Sequence, residues 1–363
     1  MIDFIAPEME FTGFTLATIL FLFAAMFLVI RNKVLAHDPR NTFVVTLATV
    51  AVITLIDWFN YLSVGHPDFV WFQRISMAVS FTVAPTLPVL VAHTLGDDPV
   101  PFKVVIAIIA LQGLLELATI FGGYVFYVDA NNYYHRGPLY GLYTLTYIVS
   151  ALYLTKQVIV IGTTYQTASL RSMLIILVVF FSGVAIQIPF PNVRITWLCV
   201  SMSVVLFILF YIEMVVTADP LTMLLNRTVY NRFLESPTFP FTYVILDVNR
   251  FKQVNDTYGH AFGDLCLKTL SQEILKTYAP YGRCYRIGGD EFAVILTSKN
   301  CDPESLENEV RDRVDAVRQT DGRIPTLSVG YATAGPECPN VKAVIELADQ
   351  HMYLNKRNSR EHQ

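Results

Sequence analysis

The chain has 363 residues, enough for two or three domains, and a formal net charge of -4. That weak charge, with no basic block anywhere, excludes a nucleic-acid partner bound through a cationic surface. The five cysteines, Cys199, Cys266, Cys284, Cys301 and Cys338, show no C-x-x-C pairing, which argues against a cysteine metal site or a disulfide framework and for free thiols in a reducing compartment.

Charge is unevenly placed. Residues 1–218 carry 20 Asp, Glu, Lys and Arg and the shorter 219–363 carries 36, so a membrane domain over 1–218 and a water-soluble domain over 219–363 are expected. Apolar runs of the roughly 20 residues needed to cross a lipid bilayer fall at 11–30, 43–64, 75–95, 104–127, 141–162, 172–190 and 195–216, predicting an all-α bundle of seven membrane helices. Asp3, Glu8 and Glu10 precede the first run and Arg31, Lys33 and Arg40 follow it. These flanks are opposite to those of a cleaved signal peptide and place the N-terminus outside. Seven crossings then leave the C-terminus inside, with Lys103, Lys156 and Arg171 at inner ends and Arg74, Arg136 and Arg194 at outer ones.

Asp57, Arg74 and Glu116 are costly in lipid and should face the bundle interior or water, either in interhelical pairs or along a sensing pocket. Pro85 and Pro88 should kink the third helix. The aromatic stretch Asp129–Arg136 reads as an outer loop at the headgroup boundary, with a ligand lid as the alternative. This region is loosely similar to the seven-helix sensor modules that precede some bacterial histidine kinases, which implies a sensory ligand of unknown identity.

After the last run, Asp219-Pro220 reads as a helix start with no room for a coiled coil, so any dimer would be assembled by the membrane bundle itself. The soluble part reads as helix 222–235, strand 241–247, helix 264–279, a hairpin of 284–287 with 292–297, helix 303–319, strand 326–333 and helix 341–356. Strands alternating with helices in this way predict an α/β domain with a mainly antiparallel sheet.

Within it, Gly288-Gly289 at the hairpin tip should supply positive φ and open backbone to a ligand, and Asp290 and Glu291 follow at once. Asp247 closes the apolar run Val244-Ile245-Leu246. Carboxylates on separate strands are the usual cage for a hard divalent cation. A calcium loop beginning at Asp247 is excluded by Lys252 and Tyr258 at positions that need Gly and Glu. Taken singly, Asp247 reads equally as a solvated strand end, Asn255 as a turn residue and Asp264 as a helix cap. No G-x-x-x-x-G-K-[ST] loop is present.

From Asp219-Pro220-Leu221-Thr222, through Asp247 to Asp264 and Arg286 to Leu296, to Tyr353-Leu354-Asn355-Lys356, these motifs resemble the GGDEF family, the diguanylate cyclases that join two GTP molecules into cyclic di-GMP. The resemblance implies a nucleotidyl-cyclase-like fold, Mg²⁺ with Mn²⁺ as a substitute, GTP as substrate and a homodimer, because each domain holds one GTP. It implies metal ligation by Asp247, Asp290 and the Val248 carbonyl, with Glu291 as a metal-linked or acid-base carboxylate. Phe251, Lys252, Gly288 and Gly289 fall at substrate positions, Asn255 and Asp264 at the guanine positions, and Lys356 and Arg360 at the terminal phosphates. A carboxylate that accepts from guanine N1–H and N2–H suits Asp264.

Two departures stand out. Asn249 replaces an acid the family often has there, and Ala279-Pro280-Tyr281-Gly282 lacks both charges of the family's inhibitory Arg-x-x-Asp site. The expected whole is a multi-pass enzyme of the bacterial inner membrane with its catalytic domain in the cytoplasm. A catalytically silent receptor for GTP or cyclic di-GMP is the alternative.

Overall fold

The computed structural model of the chain describes residues 7–96, 99–164, 166, 170–187, 195–238, 240–298, 301–335 and 340–361. It divides into two compact units, one of residues 1–163 and 169–212 and the other of 164–168 and 213–363.

The first unit contains α1 (Pro7–Arg31), α2 (His37–Leu62), α3 (Val70–Val83), α4 (Thr86–His93), α5 (Pro99–Gly122), the strands β1 (Phe126–Val128) and β2 (Tyr134–Arg136), α6 (Tyr140–Thr164), α7 (Leu170–Gln187) and α8 (Thr196–Thr217). Six helical spans among the described residues are long and apolar enough to cross a membrane. The seventh expected run lies on α7, whose apolar part Arg171–Gly183 is shorter, and its end at 188–190 falls outside the described residues. The expected third helix is two helices. Pro85 has no N–H to continue the ladder, so α3 stops at Val83 and α4 starts at Thr86.

Arg74 donates to the Val128 carbonyl at 2.8 Å, and Glu116 accepts from Gln112 at 2.5 Å. The expected outer loop is a small antiparallel hairpin. Asp129 accepts from the backbone N–H of Tyr133 and Asn131 and pairs with His135, which holds its carboxyl below the ordinary value. Asn132 turns the chain at φ 64° and donates from Nδ2 to the Ser63 carbonyl. Asp129 and Asn132 thus both serve to build the turn.

The second unit is built on β3 (Phe241–Val248), β4 (Gly282–Arg286), β5 (Glu291–Leu296) and β6 (Leu327–Ala334), antiparallel throughout in the order β4-β5-β3-β6. Side chains alternate on β3. Val244, Leu246 and Val248 pack on one side with residues of α11 (His260–Tyr278) and α12 (Pro303–Thr320). Tyr243 and Ile245 pack on the other with α9 (Arg227–Glu235) and α13 (Val341–Glu361). Burial on both faces explains why the strand is apolar almost to its end and why Asp247 stands out there.

Close approach fixes α13 on β6. A Cβ on Gly330 would lie 2.7 Å from Met352 Cβ and closer still to the Ala348 oxygen and Met352 nitrogen, so only glycine lets the helix backbone rest on the strand. The outer edge of β4 is also occupied. Leu225 forms a parallel bridge to Tyr285, and the Gln166 carboxamide, in the segment 164–168, donates to the Gly282 carbonyl and accepts from the Cys284 N–H.

Two sequence expectations change. Asp219 starts no helix. Its Oδ1 accepts from the Thr222 N–H and hydroxyl and from Arg286, and the helix begins at Arg227 behind an Asn226 cap. Between the strand expected to end at 247 and the helix expected from 264, where the sequence predicts no element, the structure has a full helix, α10 (Phe251–Tyr258). Cys199, Cys266, Cys284 and Cys301 are free thiols, and Cys338 lies outside the described residues.

Candidate active site

The site forms where β3 and β5 end side by side. Asp247 and Glu291 are direct partners across the ladder, so their side chains leave the sheet on the same face. The Val248 N–H donates to the Asp290 carbonyl at 3.1 Å, tying the hairpin turn to β3. Asp290 is half-buried and Glu291 exposed. Inside the turn the N–H groups of Ile287 and Gly288 both point to the Glu291 carbonyl, at 3.0 and 3.3 Å.

The glycine pair does not supply positive φ. Neither Gly288 nor Gly289 adopts it, contrary to the expectation from sequence. A Cβ at Gly288 would lie 2.7 Å from Glu291 Oε2 and 3.3 Å from its Cβ, so a side chain there would turn the Glu291 carboxylate away. Gly289 faces open space, and its carbonyl accepts from Arg286, whose other terminal nitrogen holds Asp219. Burial alone would raise the Asp219 carboxyl, but the Thr222 and Arg286 hydrogen bonds outweigh it and hold the group below its ordinary value.

The odd-numbered residues of β3 face α13, and that parity brings Lys356 to Asp247. Its Nζ sits 2.5 Å from Asp247 Oδ1, across 109 positions of sequence. Both side chains are largely shielded, so solvent and salt screen the pair less than they would one on the open surface. Arg360 lies on the same helix, and its side chain is outside the described residues.

Beyond Asp247 the chain reverses through Arg250, a non-glycine residue at φ 55°, directly into α10. No side chain caps α10, so its first N–H groups at Phe251 and Lys252 face outward, as at helix ends that hold anions. Next to it opens a polar cavity of about 400 Å³ whose wall includes Asn249, Arg250, Arg318, Arg323, Thr326 and Lys356. Arg318 and Arg323 are partly neutralised by Asp315 and Asp321.

Asn249 is fully used. Its amide donates to Thr326 Oγ1 at 2.9 Å and accepts from the Ser328 hydroxyl at 2.7 Å, locking the β3 exit to β6. An Asp in its place would lose the donor.

Gly259, at φ 83°, folds α10 against α11 and brings Asn255 against Gly263, the residue before Asp264. Gly263 makes that possible: a Cβ there would lie 3.0 Å from Asn255 Cγ, closer still to its Oδ1, and 3.3 Å from Phe251 Cζ. Asn255 is half-buried, while Asp264 and Lys252 are exposed. Gly263, Arg250 and Arg286 are the residues that reasoning from sequence left without a role. The dipeptide Gly263-Asp264 at a helix start was the available signal for the first.

Among the described residues no three His, Cys, Asp or Glu side chains converge closely enough to enclose a metal ion. The donor chemistry nevertheless suits a hard cation. Two carboxylates share one face, a third sits at the adjoining turn, and Asp247 already holds a cation in the form of the Lys356 ammonium.

Residues 216–362 match the family model described as "Diguanylate cyclase, GGDEF domain". Diguanylate cyclase DgcZ of Escherichia coli strain K12 is 35% identical over 151 residues, 40% of this chain and 50% of that one. Diguanylate cyclase DosC of the same strain is 33% identical over 160 residues, 39% of this chain and 33% of that one. The chain therefore spans between a third and a half of the length of these relatives. The crystal structure of the coiled coil and GGDEF domain of DgcB from Caulobacter crescentus in complex with c-di-GMP aligns with 30% identity over 41% of this chain and 85% of that one, at a TM-score of 0.36.

Proposed function

From the premise that residues 216–362 belong to the GGDEF family, we propose that the chain is a membrane-anchored diguanylate cyclase that condenses two GTP into cyclic di-GMP and releases two pyrophosphates. The observation that carries this is the placing of Asp247 and Glu291 opposite each other on β3 and β5, next to the uncapped start of α10.

Asp247, Asp290 and the Val248 carbonyl would hold Mg²⁺, with Mn²⁺ as a substitute. When bound, the ion stabilises charge on the attacking and leaving oxygens of the phosphoryl transfer. The protein's own residues do the rest. The amides of Phe251 and Lys252, with the Lys252 and Arg360 side chains, take the triphosphate. Lys356 leaves Asp247 for the same phosphates as the nucleotide arrives. Gly288 and Gly289 keep the hairpin turn free of side chains beside the sugar, and Asn255 and Asp264 read the guanine edge.

The 3′-hydroxyl of one GTP attacks the α-phosphate of the other, Glu291 accepts the hydroxyl proton, and pyrophosphate departs. The second ester forms in the same way with the roles exchanged. Because the two nucleotides come from two copies, the active form is a homodimer, assembled through both the membrane and the catalytic domains. In this reading the shorter α7 makes a seventh crossing, the N-terminus lies outside the bacterial inner membrane, the boundary between the domains falls near residue 219, and the catalytic domain is cytoplasmic.

The Lys356–Asp247 pair also favours a second reading, a silent receptor that binds GTP or cyclic di-GMP without turnover, because it neutralises the carboxylate a metal needs. Full-length protein in nanodiscs with GTP and Mg²⁺, beside an Asp290→Ala variant, separates the two. Cyclic di-GMP from the wild type alone, detected by mass spectrometry, establishes the cyclase; bound GTP without product from either favours the receptor or an activating signal that has not been met.

A further inference from the structure

Between α3 and α5, inside two of the membrane-competent spans, lies a cavity of about 510 Å³. That size falls in the range of small-molecule sites. Its wall is apolar except for Thr82 and Glu116. The Thr82 hydroxyl donates to the Ala78 carbonyl at 2.8 Å and is left able only to accept. Glu116 is fully buried; its Oε1 accepts from Gln112, and its Oε2 has no hydrogen-bond partner among the described residues. A buried polar atom without a partner is a standing penalty that a ligand can remove. Ile75, Val79, Leu114 and Leu117 on the rim are exposed on the outside of the helices, so the cavity opens sideways to whatever surrounds the spans.

We infer that this cavity binds a membrane-dissolved alcohol, a molecule with a single apolar chain ending in a hydroxyl that pairs with Glu116 Oε2. Glu116 Oε2 is the one side-chain polar atom of this wall without a partner among the described residues, and because it is fully covered the carboxyl must turn about its own bonds to meet a ligand. An ammonium needs several acceptors and would be left short, whereas a hydroxyl is satisfied by one partner and can either donate to a carboxylate or accept from a carboxylic acid. A second carboxylate would meet Glu116 as a like charge or a competing acid. Water alone is a poor occupant, since a buried water needs two to four polar partners. Gly113 belongs to the same wall, where an added Cβ would meet Thr82 Cγ2 at 3.1 Å, so α3 and α5 pack tightly about one turn from Glu116.

The assignment is independent of nucleotide chemistry and so is its test. Full-length protein in nanodiscs of a saturated phosphatidylcholine is photolabelled with a diazirine-bearing dodecanol, and the adducts are mapped by peptide mass spectrometry. Labelling is expected within 75–83 and 106–120, displaced by excess 1-dodecanol and not by dodecane, and reduced about tenfold in Glu116→Leu but retained in Glu116→Gln. Equal displacement by dodecane, or full labelling of Glu116→Leu, overturns the proposal and leaves an ordinary groove filled by acyl chains. Should Glu116→Leu fail to insert, Ala110→Phe fills the cavity with the carboxyl intact and must abolish the labelling; unchanged labelling there refutes the site.

Discussion

Replacing Gly263 by alanine tests how the corner proposed to read the base is built. The new methyl would lie 3.0 Å from Asn255 Cγ and closer to its Oδ1, whereas carbon atoms in ordinary contact stay roughly 3.5–4.0 Å apart. The side-chain amide must withdraw by at least about 0.5–1 Å, and rotation about its own bonds permits this at little cost. Meanwhile alanine improves the first turn of α11 by about 0.5–1 kcal/mol over glycine. The net change in stability is therefore small, on the order of 1 kcal/mol or less in either direction.

Binding behaves differently. If Asn255 holds guanine, turning its amide away removes one or two hydrogen bonds worth about 1 kcal/mol each, a loss of roughly 5- to 30-fold in GTP affinity. The assay is displacement of a fluorescent GTP analogue from full-length protein in nanodiscs, with hydrogen exchange across α11 as the check on folding. In a double-mutant cycle Asn255→Ala and Asn255→Ala/Gly263→Ala should bind GTP equally, because the glycine acts only through the asparagine. Wild-type affinity in Gly263→Ala with α11 still protected would refute the reasoning.

Lys356→Met should weaken GTP binding about tenfold or more while raising the affinity of the nucleotide-free protein for Mn²⁺, followed by electron paramagnetic resonance; unchanged Mn²⁺ binding would show that the ammonium does not compete for Asp247. Gly330→Ala forces α13 off β6 and should cost about 2–3 kcal/mol, seen as faster hydrogen exchange in both elements; unaltered exchange would contradict the close approach. Asp219 has a lowered folded-state value, so the stability it adds is fully present above its unfolded value near 3.8 and is lost as pH falls through the lower folded one. Asp219→Asn should therefore flatten the acid limb of the unfolding curve below about pH 4, and an unchanged limb would remove the carboxyl from the account. Finally, Ala279–Gly282 offers no charge, so cyclic di-GMP should not inhibit noncompetitively; product inhibition that GTP cannot relieve would reverse this.

The membrane spans were legible because a bilayer imposes a length that a run of apolar residues either meets or misses, and the break at Pro85 followed from a missing N–H. The sheet was legible too, since Val244 to Leu246 and Phe292 to Leu296 are apolar on both faces. Elements set by local capping were harder to read. The segment of α10 has few apolar residues between Arg250 and Gly259, two left-handed or positive-φ positions that look like turn punctuation in a sequence. Asp219-Pro220 has the composition of a helix start, but Arg286 recruits the carboxylate from 67 positions away. At the site, Asp247, Asp290 and Glu291 were singled out by resemblance to the family's motifs, and the structure sets them together at the adjoining ends of β3 and β5. The Lys356–Asp247 pairing could not be read from the sequence, because it depends on strand parity and on a glycine in β6 that lets α13 settle onto the sheet.

The covered edge of β4 has a consequence for how copies of this domain can meet. An open strand is a template on which a neighbour's backbone can add, and repeated addition runs on into fibres. Here Leu225 and the Gln166 carboxamide already take the outward groups of Gly282, Cys284 and Arg286. Growth by strand addition is blocked at that end, even when many copies crowd together on a membrane surface.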